Sequence, residues 1–157
     1  MLSQAVETAF LVLAGHPWHL AAGAVLLALS ATFSGCETSL FSLIAPELNR
    51  IRAGRSRLDR ALAELHANLK PILSILLFCN MAVNILIFSL SASLSSSLSD
   101  LHGAGAVVAF NLFAVFAVLF FGEVFPKQLA IASRLAVARL TAVPVWCCWR
   151  LLARPMR

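Results

Sequence analysis

The chain has 157 residues, 61% of them apolar and 12% charged, with a formal net charge of +5 and a mean hydropathy of +0.90. Soluble domains carry about 25% charged and 45–50% apolar residues, so one small water-soluble globule is excluded and a lipid bilayer is the natural solvent. The charge is clustered: six basic residues lie from Arg50 to Lys70, six from Lys127 to Arg157, and none in 71–126, which argues against a nucleic-acid surface and fits short cytoplasmic loops beside membrane spans.

Residues 1–15 are apolar with one acid, Glu7, and are too short to span; they read as a short helix or an outer-face lead-in. No basic region precedes them, so they are not a signal peptide. His16-Pro17-Trp18-His19 breaks the pattern, with Trp18 placed to anchor at the interface. The first span is expected over about 20–45. At about 1.5 Å per residue it is long enough for a hydrocarbon core of about 30 Å, although polar FSGCETS and Glu37 interrupt it.

Residues 46–70 are charged, and Leu48, Ile51, Leu58, Leu62 and Leu65 recur at mostly helical spacing. They predict an amphipathic cytoplasmic helix, or a helix pair broken at Gly54. Pro71 suits a helix start and opens the second span, about 71–98. A serine-rich stretch then leads into an outer loop at Asp100-Leu101-His102-Gly103. The third span is expected over about 103–126, ending at Pro126-Lys127. A second amphipathic cytoplasmic segment, 128–157, follows, with Trp146 and Trp149 suited to the headgroup region. The expected fold is therefore an all-α membrane protein, one domain over 1–157, with three transmembrane helices plus amphipathic cytoplasmic helices. Its N-terminus lies outside and its C-terminus in the cytoplasm of a plasma or inner membrane. Cys36, Cys79, Cys147 and Cys148 form no CxxC or Cys/His zinc spacing, and His16, His19, His66 and His102 fall near segment ends.

Polar side chains at membrane depth are costly, about 2.5–3.5 kcal/mol or more for an ionisable group at mid-bilayer, and they usually face the protein interior. Here they are Ser34 to Thr38 in span one, Asn80 and Asn84 in span two, and Asn111 and Glu123 in span three. Asn80 and Asn84 are four apart and share a helical face. They serve either as ligands or as a hydrogen-bonding stripe between helices. Glu123 and Lys127 have the spacing of an ion pair, but Pro126 between them removes a helical hydrogen bond and kinks the chain. That loss frees the carbonyl of Gly122 beside the Glu123 carboxylate. Gly35 allows a neighbouring helix to approach. Hydroxyl, amide, carboxylate and carbonyl oxygens on three spans form a hard-oxygen set suited to Mg²⁺, Ca²⁺ or Na⁺.

These stretches resemble a known family. Phe33-Ser34-Gly35-Cys36-Glu37-Thr38-Ser39-Leu40-Phe41-Ser42-Leu43 resembles the FSG-x-E-T-A-L-x-S-L signature of the CorC/cyclin-M magnesium transporter family. Cys79-Asn80-Met81-Ala82-Val83-Asn84-Ile85 resembles its G-N-x-x-V-N-I segment, and Phe121 to Ala130 resembles its F-G-E-x-x-P-K-x-L-A segment. Cys36 and Cys79 depart from the small residues usual there. The resemblance implies a homodimer that exports Mg²⁺ or exchanges it for Na⁺. It implies Ser34, Asn80 and Glu123 as metal ligands, with the Gly122 carbonyl and Asn84 beside them. Gly35, Glu37, Pro126 and Lys127 would shape or gate the site. Members usually continue into paired CBS modules; residues 1–157 contain none, and a regulatory part is expected to be separate or missing. The alternative is a non-transporting assembly or partner-binding module. An intramembrane hydrolase is a distant third, since no histidine accompanies Ser34 at depth and no GxSxG motif is present.

Overall fold

The structure, a computed structural model, describes residues 17–153, with side chains for 17–95 and 103–150. The lead-in 1–15, His16 and the basic end at Arg154 and Arg157 lie outside the described residues. Every described element is a helix: α1 (Pro17–Ser42), α2 (Ala45–Ala53), α3 (Arg57–Ala67), α4 (Leu69–His102), α5 (Ala104–Ala117), a π-helical segment (Val118–Val124), α6 (Phe125–Ala132) and α7 (Arg134–Ala153). Three stretches are long and apolar enough to cross a membrane: Pro17–Ser42, Leu69–Ser95 and Ala104–Ala132. The chain is thus an all-α membrane protein with three candidate spans.

The first described helix already includes Pro17, three residues before the expected Leu20. Proline lacks an N–H and has a fixed φ, which suits the first helical position, where no partner is needed. The belt that follows is a helix pair. Ile44 donates its N–H to Glu47 Oε2 at 3.1 Å at the start of α2, and Pro46 sits harmlessly in the first turn. Ser56 caps α3, accepting from the Asp59 N–H at 3.0 Å while its hydroxyl donates to Asp59 Oδ2 at 2.7 Å. Gly54 separates the two helices because nothing larger fits: an added Cβ would meet Asp59 Cγ at 2.6 Å. The buried face of α3 is Asp59, Leu62 and Leu65, whereas Leu58, expected on it, is 38% exposed.

Two boundaries in the spans differ from expectation. The second span, expected to end at about 98 before a loop at Asp100–Gly103, is helix through His102. Within lipid a backbone must satisfy itself, and Ser95 donates its hydroxyl to the Ser91 carbonyl at 2.8 Å, so serine does not break the helix. Reversal is left to Gly103, whose φ of 76° is open to glycine and strained for other residues. The third span does not end at Pro126. It continues to Ala132, and its irregularity sits before the proline: the Phe125 N–H bonds the Phe120 carbonyl, five residues back, within a widened turn.

α1 is the central helix. It packs against α4, the π segment, α6 and α7, and α7 also packs on α3. Phe33, Cys36 and Leu40 of α1 meet Ile72, Leu76, Val83 and Ile87 of α4 and Ala138, Ala142 and Val145 of α7 in one buried cluster. The polarity is inverted relative to a soluble protein. Phe78, Met81, Leu112 and Phe113 are all about two-thirds exposed, while Ser30, Ser34 and Ser39 are wholly buried. An apolar exterior of this extent is a lipid-facing surface.

Candidate metal centre

The polar residues of the three spans converge. Ser30 Oγ on α1 lies 3.0 Å from Asn80 Oδ1 and 2.9 Å from Asn84 Oδ1, both on α4. Asn84 donates its Nδ2–H to Glu123 Oε1 on the π segment at 3.0 Å. Ser34, one turn along α1 from Ser30, donates its hydroxyl to the main-chain oxygen of Glu123 at 3.4 Å. Asn80 and Asn84 reach the same hydroxyl because residues four apart stack on one face. Glu123 reaches them from the widened turn.

The arrangement is rich in acceptors. A hydroxyl has one proton, so Ser30 satisfies one of the two amide oxygens at a time. With the Glu123 carboxylate and the Ser30 oxygen, the cluster gathers hard oxygens of three chemical kinds in the protein interior. Among the described residues no three His, Cys, Asp or Glu side chains form a group that could hold a metal; the acid in this cluster is Glu123.

The two glycines of the motifs play unequal parts. A Cβ on Gly122 would stand 3.0 Å from Ser30 Oγ and 3.5 Å from Leu27 Cδ1. The widened turn therefore packs closely on α1 at residue 122, where a side chain would make Ser30 give way by a few tenths of an ångström. At Gly35 a Cβ would meet Val137 Cγ1 at 3.5 Å and Pro126 Cβ at 3.6 Å, ordinary van der Waals distances. Neighbouring helices approach Gly35, as expected, but the tighter approach is at Gly122.

Of the nine residues singled out in the sequence, Asn80, Asn84, Glu123 and Gly122 meet at this point. Ser34 joins through the backbone of Glu123 and not through its carboxylate. The carbonyl that a second span engages is that of Glu123, whereas the sequence pointed to Gly122. Pro126 is buried beside Gly35. Glu37 is half-buried and makes no hydrogen bond to the cluster. Among the described residues the ion pairs are Arg134–Glu47 and Arg139–Asp59, so the Glu123–Lys127 pair does not close. Asn111 lies apart, 3.1 Å from Ser95 Oγ. Ser30 is the residue that the sequence reading missed. The available signal was its spacing: it precedes Ser34 by four residues and so shares its face.

Arginines of α7 tie it to the belt and to the end of α1. Arg139 donates to Asp59 Oδ1 through Nη2 at 2.9 Å and Nε at 3.2 Å. The Asp59 carboxyl is held below its usual value, chiefly by the Ser56 hydroxyl and then by Arg139, with burial opposing them. Arg134 donates to the Ser42 carbonyl at 3.1 Å, which fixes the end of α1.

No curated protein matches the chain. A family model does: residues 21–156 match the Cyclin M transmembrane N-terminal domain.

Proposed function

Because the chain belongs to the cyclin M transmembrane domain family, we propose that it transports a divalent cation, Mg²⁺, out of the cytoplasm, with Na⁺ as the exchanged ion, and that it does so as a homodimer. The observation that carries this reading is the cluster of Ser30, Asn80, Asn84 and Glu123, drawn from three spans and joined within 3.0 Å. Mg²⁺ takes oxygen ligands at about 2.0–2.1 Å and gives up water reluctantly. A carboxylate in a low-dielectric interior is the group able to offset that dehydration. In this reading Glu123, Asn80 and Asn84 bind the ion by their side chains, Ser30 turns its proton away to present its oxygen, and Ser34 holds the Glu123 backbone in place. The spans then rock to open the site outward, as in carriers with sites at mid-membrane. The belt and α7 face the cytoplasm, where their arginines belong.

One observation favours a second reading. The four side chains hydrogen-bond to one another across three helices, which is also what a helix-joining network does. Glu123→Gln separates the two. A glutamine oxygen still accepts from Asn84, so a packing network survives, but the charge is gone. Thermal melting of the detergent-purified protein is measured against Mg²⁺, Ca²⁺ and Na⁺ for wild type and Glu123→Gln. A ligand that binds only the folded state raises stability by RT ln(1 + [L]/Kd), about 2.7 kcal/mol at 100-fold excess over Kd. The expected result is stabilisation of wild type by Mg²⁺ that vanishes in Glu123→Gln, with loss of Mg²⁺ flux in proteoliposomes. A melting point indifferent to Mg²⁺ in both proteins would assign the cluster to packing.

A further inference from the structure

Away from the cluster, α3 and α7 enclose a groove of about 530 Å³. Three arginines line it: Arg57 and Arg60 from α3 and Arg150 from α7. Its one acid, Glu64, is engaged, since the Trp146 indole N–H donates to Glu64 Oε2 at 2.8 Å. The Arg150 guanidinium is held over the Trp146 ring at 4.2 Å, on the groove's wall. Arg57 and Arg60 enter no ion pair among the described residues, and the nearby Asp59 is already bonded to Arg139 and Ser56. The groove is left with a surplus of positive charge.

Its other half is apolar. Leu58 and Val143 line it, and Leu140, 79% exposed, continues the same strip of α7. Along that helix Leu140, Val143, Trp146 and Arg150 follow at spacings of three and four, so one face runs from apolar through aromatic to basic. Free phosphate or a soluble nucleotide would use only the basic end. An amphiphile with a phosphate head and hydrocarbon tails matches both ends at once.

We propose that this groove binds the headgroup of an anionic phospholipid, with its phosphate against Arg57, Arg60 and Arg150 and its acyl chains along Leu58, Val143 and Leu140. The site is distinct from the cation cluster and stands whether or not the protein transports an ion. Basic pockets between helices at a membrane surface hold such headgroups by charge and by bidentate guanidinium contacts.

The full chain in neutral detergent is melted with increasing dioctanoyl phosphatidylglycerol, dioctanoyl phosphatidylcholine or inorganic phosphate. Phosphatidylglycerol is expected to raise the melting point where the other two do not. Each arginine near such a surface contributes about fivefold in affinity, so Arg57→Gln/Arg60→Gln should need roughly 30-fold more phosphatidylglycerol for the same shift, with its lipid-free melting unchanged. If that double variant fails to fold, Arg150→Gln on the opposite wall gives the same reading at roughly fivefold. An equal response to phosphatidylcholine, an equal response to phosphate, or a wild-type response in the folded variants each overturns the proposal.

Discussion

Ser30 and Gly122 meet across the α1 interface, and the fit there is set by single atoms. A methyl group at 122 would press on Ser30 Oγ at 3.0 Å, the same oxygen that faces Asn80 and Asn84. Gly122→Ala is expected to lower stability by about 1–3 kcal/mol through overpacking and to weaken the Mg²⁺ response together with it. Gly35→Ala, with its nearest neighbour at 3.5 Å, is expected to change stability by less than about 1 kcal/mol. Unfolding curves of the two variants, recorded side by side, check the ranking; equal losses would mean that the close approach is not at Gly122. At this scale Glu123, Asn80 and Asn84 were legible because an acid or an amide at membrane depth has few uses. Ser30 was not, because a serine in an apolar helix can bond its own backbone, as Ser42 does to the Thr38 carbonyl at 2.7 Å, and so carries little signal. The pairing of Glu123 with Lys127 read well by spacing but does not form; the Glu123 carboxylate accepts from Asn84 instead.

Among the elements, the belt was the easiest to read, since its period and the glycine between α2 and α3 are local features. Its attachment to α7 was not legible, because Asp59 and Arg139 are 80 residues apart. This attachment has a pH signature. The folded-state value of Asp59 is lowered, so its contribution to stability is present above the unfolded carboxyl value of about 3.9 and is lost as pH falls through the lower folded value. Asp59→Asn should lower the melting point at neutral pH and flatten the loss of stability below about pH 4; an unchanged acid limb would show that the pair does not control it. The π segment was only half legible. Pro126 announced an irregularity, but a proline accommodated in the first turn of a helix places the distortion before itself, which is why the widened turn spans Val118–Val124. The end of the second span was set too early for a different reason: Asp100 and His102 are polar enough to read as loop, whereas the helix runs on to His102.

At the scale of the molecule, composition and clustered charge were enough for three spans and a basic belt, since both are sums over many residues. The arrangement of the spans about α1 was not, because an apolar exterior leaves no periodic polar face to orient each helix. That central position has a consequence for how the protein is made. Ser30 leaves the ribosome 50 residues before Asn80, and Ser34 leaves it 89 residues before Glu123. At about 5–20 residues per second, the first of these gaps lasts roughly 3–10 s. During it α1 sits in the membrane without its partners. α7 arrives last, to cover the Gly35 face with Val137. A chain ending at Ser133 is therefore expected to insert but to be degraded faster than the full chain in a pulse-chase experiment, with equal half-lives counting against the idea. The first described helix thus waits for partners made after it, and the interval is a window in which membrane quality control can judge the nascent protein.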